Sequence, residues 1–359
     1  MMAEISVIVP VFNAQKYLAD CLDSLMRQTF KDIEIICVND GSKDDSLRIL
    51  KEYAAQDERI RIFSQRNRRQ GAARNMGMQK SSGNYIFFVD ADDWIDENAL
   101  ELLWKKARES DADIVLTGTR LYDENKNSLN RDWCNYEKEK DLTDGIPPRD
   151  FFRMMAPCCS RFHKAEFIKN NHIRFVEHCF YEDNSWGGVT SLLAEKIGFI
   201  SNVYCYRQHS ESTTGVKDHK VFNWVKDFKY FCCQVKKRKI SSSSLKMAYF
   251  WYLCNFMYYM DQLSEKNKRI FYAKIVGVLK SFGLSETDFR EDLENREGLL
   301  RFWNWLKQKD FYRRRKLSFY LFGILFYQIR IWPDNSKTEH LLLGFIPLYE
   351  YKRRQKKRC

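Results

Sequence analysis

Phe87–Trp94 reads F-F-V-D-A-D-D-W. Apolar residues run straight into three carboxylates, at positions 90, 92 and 93, and then into an indole. Ile86–Val89 is a short continuous apolar run, which predicts a strand buried on both faces. Carboxylates crowded at the end of such a strand repel one another. Either a bound cation offsets that repulsion, or the aspartates serve as turn residues and helix caps.

Working outward, the same grammar recurs. Ile5–Val9 is a second apolar run, rich in β-branched residues and stopped by Pro10; Ile33–Val38 is a third, ending in N-D-G-S. Between the runs lie amphipathic segments: Leu18, Cys21, Leu22 and Leu25 share a helical face, as do Leu47, Leu50 and Tyr53, and as do Leu100, Leu103, Trp104 and Ala107. Asn13 is expected to cap the first of these helices and Asp96 to start the third. Arg61–Phe63 reads as a weaker strand, Ala72–Lys80 as a helix and Ile114–Leu116 as a strand. Alternating strands and helices with continuous apolar strands predict an α/β fold with a mostly parallel sheet flanked by helices. Ligands of such sheets bind beyond the carboxyl ends of the strands. Val11–Asn13, Asn39–Ser42 and Asp90–Asp93 all fall at that edge.

The chain has 359 residues, 44% of them hydrophobic, which is enough for a large domain and a second module. Its formal net charge of +12 favours an acidic partner. Eleven cysteines without a C-x-x-C pair exclude zinc-ribbon spacing and read as free thiols of a reducing compartment. The start M-M-A-E-I-S-V-I-V-P runs into a strand, so no signal peptide is expected. No apolar run reaches the roughly 18 residues that a membrane span needs. Residues 1–215 are expected to form the α/β domain, with a polar, irregular, variable region at about 120–180. Residues 216–359 are expected to form a mainly helical module.

Two aspartates one residue apart at a strand end can share a hard divalent cation, because Mg²⁺ and Mn²⁺ take oxygen ligands and complete their shells with substrate phosphates. Asp90 and Asp92 are therefore candidate metal ligands, with Asp40 converging on the same edge. Asp93 reads equally as a support for them or as a cap. Glu182-Asp183, read alone, is a capping pair at a helix start.

In order, the motifs S-V-I-V-P-V-F-N, V-N-D-G-S-K-D-D-S, G-A-A-R-N-M-G and S-G-N-Y-I-F-F-V-D-A-D-D-W resemble family 2 glycosyltransferases of the GT-A fold, of the bacterial cell-surface polysaccharide and lipopolysaccharide type. The resemblance covers about residues 3–210. It implies an inverting glycosyltransferase that uses a nucleotide-sugar donor, usually UDP-linked, and a divalent cation, Mn²⁺ or Mg²⁺. By the same resemblance Pro10, Phe12 and Asn13 line the nucleobase and ribose, Asp40 bonds the uracil edge and Asn67 opens the next loop. Arg74 is implied to contact the nucleotide or its pyrophosphate, while Asn75 is as readily structural. Asp90 would approach the ribose and Asp92 would bind the metal. Glu182-Asp183 resembles the acceptor-side pair, with Asp183 as general base and Glu182 orienting the acceptor; an acceptor hydroxyl needs such a base at neutral pH. Tyr206–Ser212, Y-R-Q-H-S-E-S, resembles a segment that closes over the pyrophosphate, with Arg207 neutralising phosphate oxygens and His209 as a third metal ligand. Family members often carry glycine where Arg69 stands, which leaves the role of that arginine open. Trp94 is expected to pack at the sheet edge.

The C-terminal part adds an R-R-R-K run at Arg313–Lys316, an aromatic-aliphatic segment to Trp332, and the ending Y-K-R-R-Q-K-K-R-C, which has six basic residues and no acid. These features suit either an anionic membrane surface, and with it a lipid-linked glycan acceptor at the inner face of the cytoplasmic membrane, or a packed module with a solvated tail. No nucleic-acid module is recognisable, so nucleic acid is not expected as a partner. A sugar nucleotidylyltransferase is the alternative enzyme, but Pro10–Asn13 lacks the glycine-rich loop that a triphosphate needs. A non-catalytic basic scaffold would rest on charge alone.

Overall fold

In a computed structural model the structure describes residues 3–124, 128–134, 136, 139–147, 157–209, 219–240, 243–260, 263–284, 315–321, 324–331, 337–342 and 346–352. The chain divides into two compact units, Met1–Tyr252 and Leu253–Cys359. The first unit therefore extends beyond residue 215, the boundary expected from composition.

In the first unit β1 (Ile5–Val11), β2 (Ile33–Asn39), β3 (Ile60–Ser64) and β4 (Tyr85–Phe88) alternate with α1 (Leu18–Met26), α2 (Ser46–Ala54) and α3 (Arg69–Lys80). The strands lie in the order β3-β2-β1-β4, all parallel, with Ile5 level with both Ile33 and Tyr85. Every residue of β1, β2 and β4 is buried, as continuous apolar strands require. Each of the fully buried Ile, Val and Phe side chains contributes on the order of 1.5–3 kcal/mol relative to exposure. α3 packs closely on the sheet because Gly77 has no side chain: a Cβ there would lie 2.3 Å from Ile8 Cγ2.

Beyond β4 the sheet turns mixed. β5 (Trp94–Ile95) is followed by α4 (Ala99–Ser110), β6 (Ile114–Asp123), β7 (Ser128–Cys134), β8 (Arg161–Lys164), α5 (Ala165–Asn170), α6 (Glu182–Leu193) and β9 (Ile197–Gln208). β8 runs antiparallel between β4 and β6, β9 runs parallel to β6, and β5 closes the edge antiparallel to β9. Three expectations change here. The region after residue 120 carries a β6–β7 hairpin and is not irregular throughout. α4 starts at Ala99, not at Asp96, whose carboxylate instead pairs with Arg120. Asn13 does not cap α1, whose N-cap is Tyr17; it sits at φ 49° and accepts the Lys43 N–H through Oδ1 at 2.8 Å. Asn13 thus ties the first strand-end loop to the second.

α7 (Phe222–Arg238) packs against α6. It is followed by α8 (Ser243–Met260), which contains the division between the units. Buried Asp227 on α7 accepts the Ser185 N–H at 3.3 Å and the hydroxyl of Tyr252 at 2.6 Å.

In the second unit α9 (Glu265–Ser281) is capped by Ser264, whose hydroxyl accepts the Asn267 N–H. Its Phe271 ring meets Phe256 at 5.7 Å. Among the described residues from Arg315 onward the chain is extended, which the helical expectation did not include. β10 (Arg315–Leu321), β11 (Ile324–Ile331), β12 (Lys337–Leu342) and β13 (Ile346–Lys352) form an antiparallel meander in chain order. The sequence carries the reason: Leu317, Phe319 and Leu321 recur with period two, as do Ile329 and Ile331. The basic run beyond Lys352 lies outside the described residues. Among the described residues no helix is long and apolar enough to cross a membrane.

Candidate active site

The carboxyl ends of β1, β2 and β4 open into a cavity of about 410 Å³. Its wall includes Pro10, Phe12, Asn13, Asp40, Asn67, Asp92 and His209, all expected there from the sequence. A larger depression of about 1000 Å³ lies at the opposite edge, where Glu4 and Tyr85 mark the strand starts; it holds none of the expected site residues. Chemistry, not size, selects the smaller cavity.

Asp40 follows β2 and is buried. Its Oδ1 accepts from Gln65 Nε2 at 2.7 Å and from the Arg68 N–H at 2.9 Å. Its Oδ2 is buried without a hydrogen-bond partner among the described residues. An unmet carboxylate oxygen on a cavity wall is costly, and a ligand N–H would satisfy it. Gly41 next to it takes φ 75°, which makes the tight turn possible.

The carboxylates after β4 divide their tasks. Asp92 Oδ2 meets His209 Nε2 at 3.0 Å, and the His209 ring lies 4.5 Å from that of Tyr17. Asp90 turns away to an ion pair with Arg74, at 2.6 Å. Asp93 is fully buried, where its Oδ2 accepts the Tyr204 hydroxyl at 2.6 Å and its Oδ1 accepts the Arg207 N–H at 2.9 Å. Asp93 therefore anchors β9 and caps no helix.

Arg74 and Arg207 are not placed as expected. Arg74 is 2% exposed; one terminal nitrogen bonds Asp90 and the other Glu182 Oε1, so the guanidinium joins two carboxylates behind the cavity. Its burial leaves it no face for a pyrophosphate. Arg207 donates from Nε to the Asp92 carbonyl at 3.0 Å and from Nη2 to Asp20 at 2.7 Å. It also lies over the rings of Trp94, Tyr17 and Tyr122, at 4.8, 5.0 and 5.6 Å. Asn75 is structural, clamping Phe175 through both its N–H and its carbonyl. Trp94 packs at the sheet edge, against Tyr122.

Glu182 and Asp183 form the first turn of α6. Burial raises both carboxyls above their ordinary values, and the Arg74 guanidinium opposes the shift. The approach to α6 is a taut segment: His178 and Tyr181 take φ 54° and 63°, Phe180 N–H bonds Asn223, and Lys226 Nζ bonds the carbonyls of Glu177 and His178. Gly71 lets α3 approach it, since a Cβ there would lie 2.3 Å from the Val176 carbonyl oxygen.

The family model for glycosyl transferase family 2 matches residues 6–166. The chain is 33% identical over 249 residues to the glycosyltransferase GlyG of Streptococcus pneumoniae, a match that covers 67% of this chain and 81% of the relative. The chain belongs to glycosyl transferase family 2. Another relative, the glycosyltransferase GlyA of the same organism, is 35% identical over 228 residues; the match spans 60% of this chain but only 32% of GlyA. Among solved structures, S. aureus TarS 1-349 in complex with UDP-GlcNAc has the same fold, with a TM-score of 0.65 over 90% of this chain and 95% of that one, at 17% identity. Membership settles the enzyme class: a GT-A glycosyltransferase, and neither a nucleotidylyltransferase nor a scaffold.

Among the described residues no three His, Cys, Asp or Glu side chains gather into a metal-binding cluster. Asp90 is committed to Arg74, so the expected three-ligand set reduces to Asp92 and His209. That pair still fits a divalent cation of this transferase family, because Mg²⁺ and Mn²⁺ sites commonly use one or two protein ligands and substrate phosphates. Sequence reading missed further wall residues, among them Tyr17, Cys179, Phe180 and Lys220. Of these four, Phe180 had a signal, standing two residues before Glu182-Asp183. Arg69, whose role was open, also lines the cavity.

Proposed function

We propose that the chain transfers a sugar from a UDP-linked donor to a hydroxyl of a glycan acceptor, with inversion at the anomeric carbon. The observation that carries the reading is Asp40 Oδ2, a buried acceptor on the cavity wall that wants an N–H. The imino N–H of uracil supplies one, whereas cytosine has none at that position. TarS, which shares the fold, was solved with UDP-GlcNAc.

Phe12, 45% exposed on the cavity rim, offers a ring for the base, and Asn13 and Asn67 offer polar groups for the ribose. Asp92 and His209 would hold the cation, which when bound stabilises negative charge on the departing diphosphate. Asp183 takes the proton of the acceptor hydroxyl. The new C1–O bond forms as the C1–O bond to the β-phosphate breaks, and the diphosphate leaves with the electron pair. Glu182, held by Arg74, fixes the turn that aims Asp183.

The acceptor is proposed to be lipid-linked, as in lipopolysaccharide, capsule or exopolysaccharide assembly at the inner face of the cytoplasmic membrane. The charge of +12 and the basic run from Lys352 to Arg358 support that reading. Flotation on anionic vesicles tests it: binding that survives replacement of those lysines and arginines by glutamine removes it. For the donor, calorimetry with UDP, CDP and GDP in Mn²⁺ is the direct test. UDP is expected to bind best, and equal binding of CDP would sink the uracil reading.

A further inference from the structure

Arg69 opens α3 at φ 72°, a left-handed conformation that is strained for any residue with a side chain. Such strain persists where the side chain has a task. The Arg69 guanidinium carbon lies 3.8 Å from the centroid of the Phe180 ring, and Lys220 Nζ lies 4.7 Å from the same centroid. All three residues line the cavity. Among the described residues neither cation has a carboxylate within ion-pair distance, although most other basic side chains around the sheet end do. Burial and the charge of Arg69 both push the Lys220 ammonium below its ordinary value, so the pair repels itself as it stands.

Two converging cations on one aromatic ring, without a counter-charge, form a subsite for an anion. In the proposed function the diphosphate of the donor would lie against the cation held by Asp92 and His209. The Arg69 corner is built instead on Cys179–Phe180, the segment that leads directly into Asp183. Resting on the reading of the cavity as a UDP-sugar site, we infer that Arg69, Phe180 and Lys220 bind a carboxylate or phosphate ester on the sugar side of the reaction. The group belongs either to the transferred sugar or to the acceptor. The substrates recognised here are therefore acidic rather than neutral.

The test is calorimetric titration of the full chain in Mn²⁺ with UDP, UDP-glucose and UDP-glucuronate, and of the UDP-saturated protein with glycerol 3-phosphate. The proteins are the parent, Arg69→Gly and Lys220→Gln. Glycine suits φ 72°, so Arg69→Gly removes the charge while relaxing the backbone, and lost binding does not reflect misfolding. An acidic donor sugar is indicated by UDP-glucuronate binding about tenfold or more tighter than UDP-glucose; an acidic acceptor is indicated by saturable glycerol phosphate binding. In either case both variants are expected to lose about tenfold for the anionic probe and to keep the UDP Kd within about threefold. The inference is overturned if neither anionic probe gains over the neutral one. It is also overturned if Arg69→Gly weakens UDP as much as the anionic probe, because the cation would then serve the diphosphate. Failure of the parent chain to bind UDP at all is a separate result, which removes the uridine reading itself.

Discussion

Arg74 Nη2 lies 2.6 Å from Asp90 Oδ1, with 3% of the arginine side chain exposed. The other arm of the same guanidinium reaches Glu182, 108 residues away. One buried cation therefore joins the strand end of the donor side to the helix that carries the proposed base. Removing it leaves the buried Glu182 carboxylate and the partly buried Asp90 carboxylate without their shared counter-charge. Arg74→Ala is expected to cost about 3–5 kcal/mol, the usual effect of breaking a buried ion pair from one side. Urea unfolding checks this, and a loss below about 1 kcal/mol would mean that solvent reaches the carboxylates.

Asp183→Asn keeps the shape of the first turn of α6 and removes the proton acceptor. Turnover is expected to fall by about 10²–10⁴-fold while UDP affinity stays unchanged. Burial raises the Asp183 carboxyl above its ordinary value of 3.8, and only the ionised form acts as base. The ascending limb of kcat/KM against pH is therefore expected above that value. Near-parental turnover in the variant would remove the assignment.

Asp40→Ala takes away the acceptor expected to meet uracil. UDP binding is expected to weaken by about 1–3 kcal/mol, the cost of leaving a buried partner unmet. Discrimination between UDP and CDP should collapse with it, which calorimetry reads directly.

Asp92→Ala separates metal from nucleotide. The parent chain should bind UDP more tightly with Mn²⁺ than with EDTA, and the variant should bind it equally in both. A variant that keeps the Mn²⁺ dependence would place the cation elsewhere.

Asp227 gives a stability test with a defined sign. Its buried carboxyl titrates well above the ordinary 3.8, so the folded chain binds a proton that the unfolded chain has released. Stability contributed at this position falls as pH rises from the ordinary carboxylate range through the folded value. Asp227→Asn removes that slope. Comparing urea midpoints at about pH 5 and about pH 8 should show a smaller difference in the variant than in the parent.

How much of this was legible beforehand depended on locality. β1, β2 and β4 are fully buried strands, so their apolar runs announced them, and of the polar residues after them Asn13, Asp40 and Asp92 line the cavity while Asp90 and Asp93 turn to partners behind it. β5 and β8 have only two and four residues and exist because neighbouring strands offer them pairing partners. No window of sequence contains those partners. The meander of β10–β13 was hidden differently, since its alternation sits inside aromatic-rich stretches that also suit a helix. At the site, the positions of Asp40 and Asp92 on the cavity wall were legible because each follows a buried strand in its own motif. Arg74 could not, because its partners are set by packing between distant segments. Asp93 was ambiguous for the same reason: its function is to hold Tyr204 and Arg207, far along the chain.

Four of the seven described non-glycine residues with positive φ stand in segments around the cavity: Asn13, Arg69, His178 and Tyr181. For these positions the customary alanine scan is the wrong instrument. Alanine would retain the backbone penalty and remove the contacts that hold it, so function and folding would fail together. Glycine inverts the comparison, deleting the side chain while easing the chain around it. The cavity thus comes with its own set of clean deletions, at which a loss of activity reports on the side chain alone.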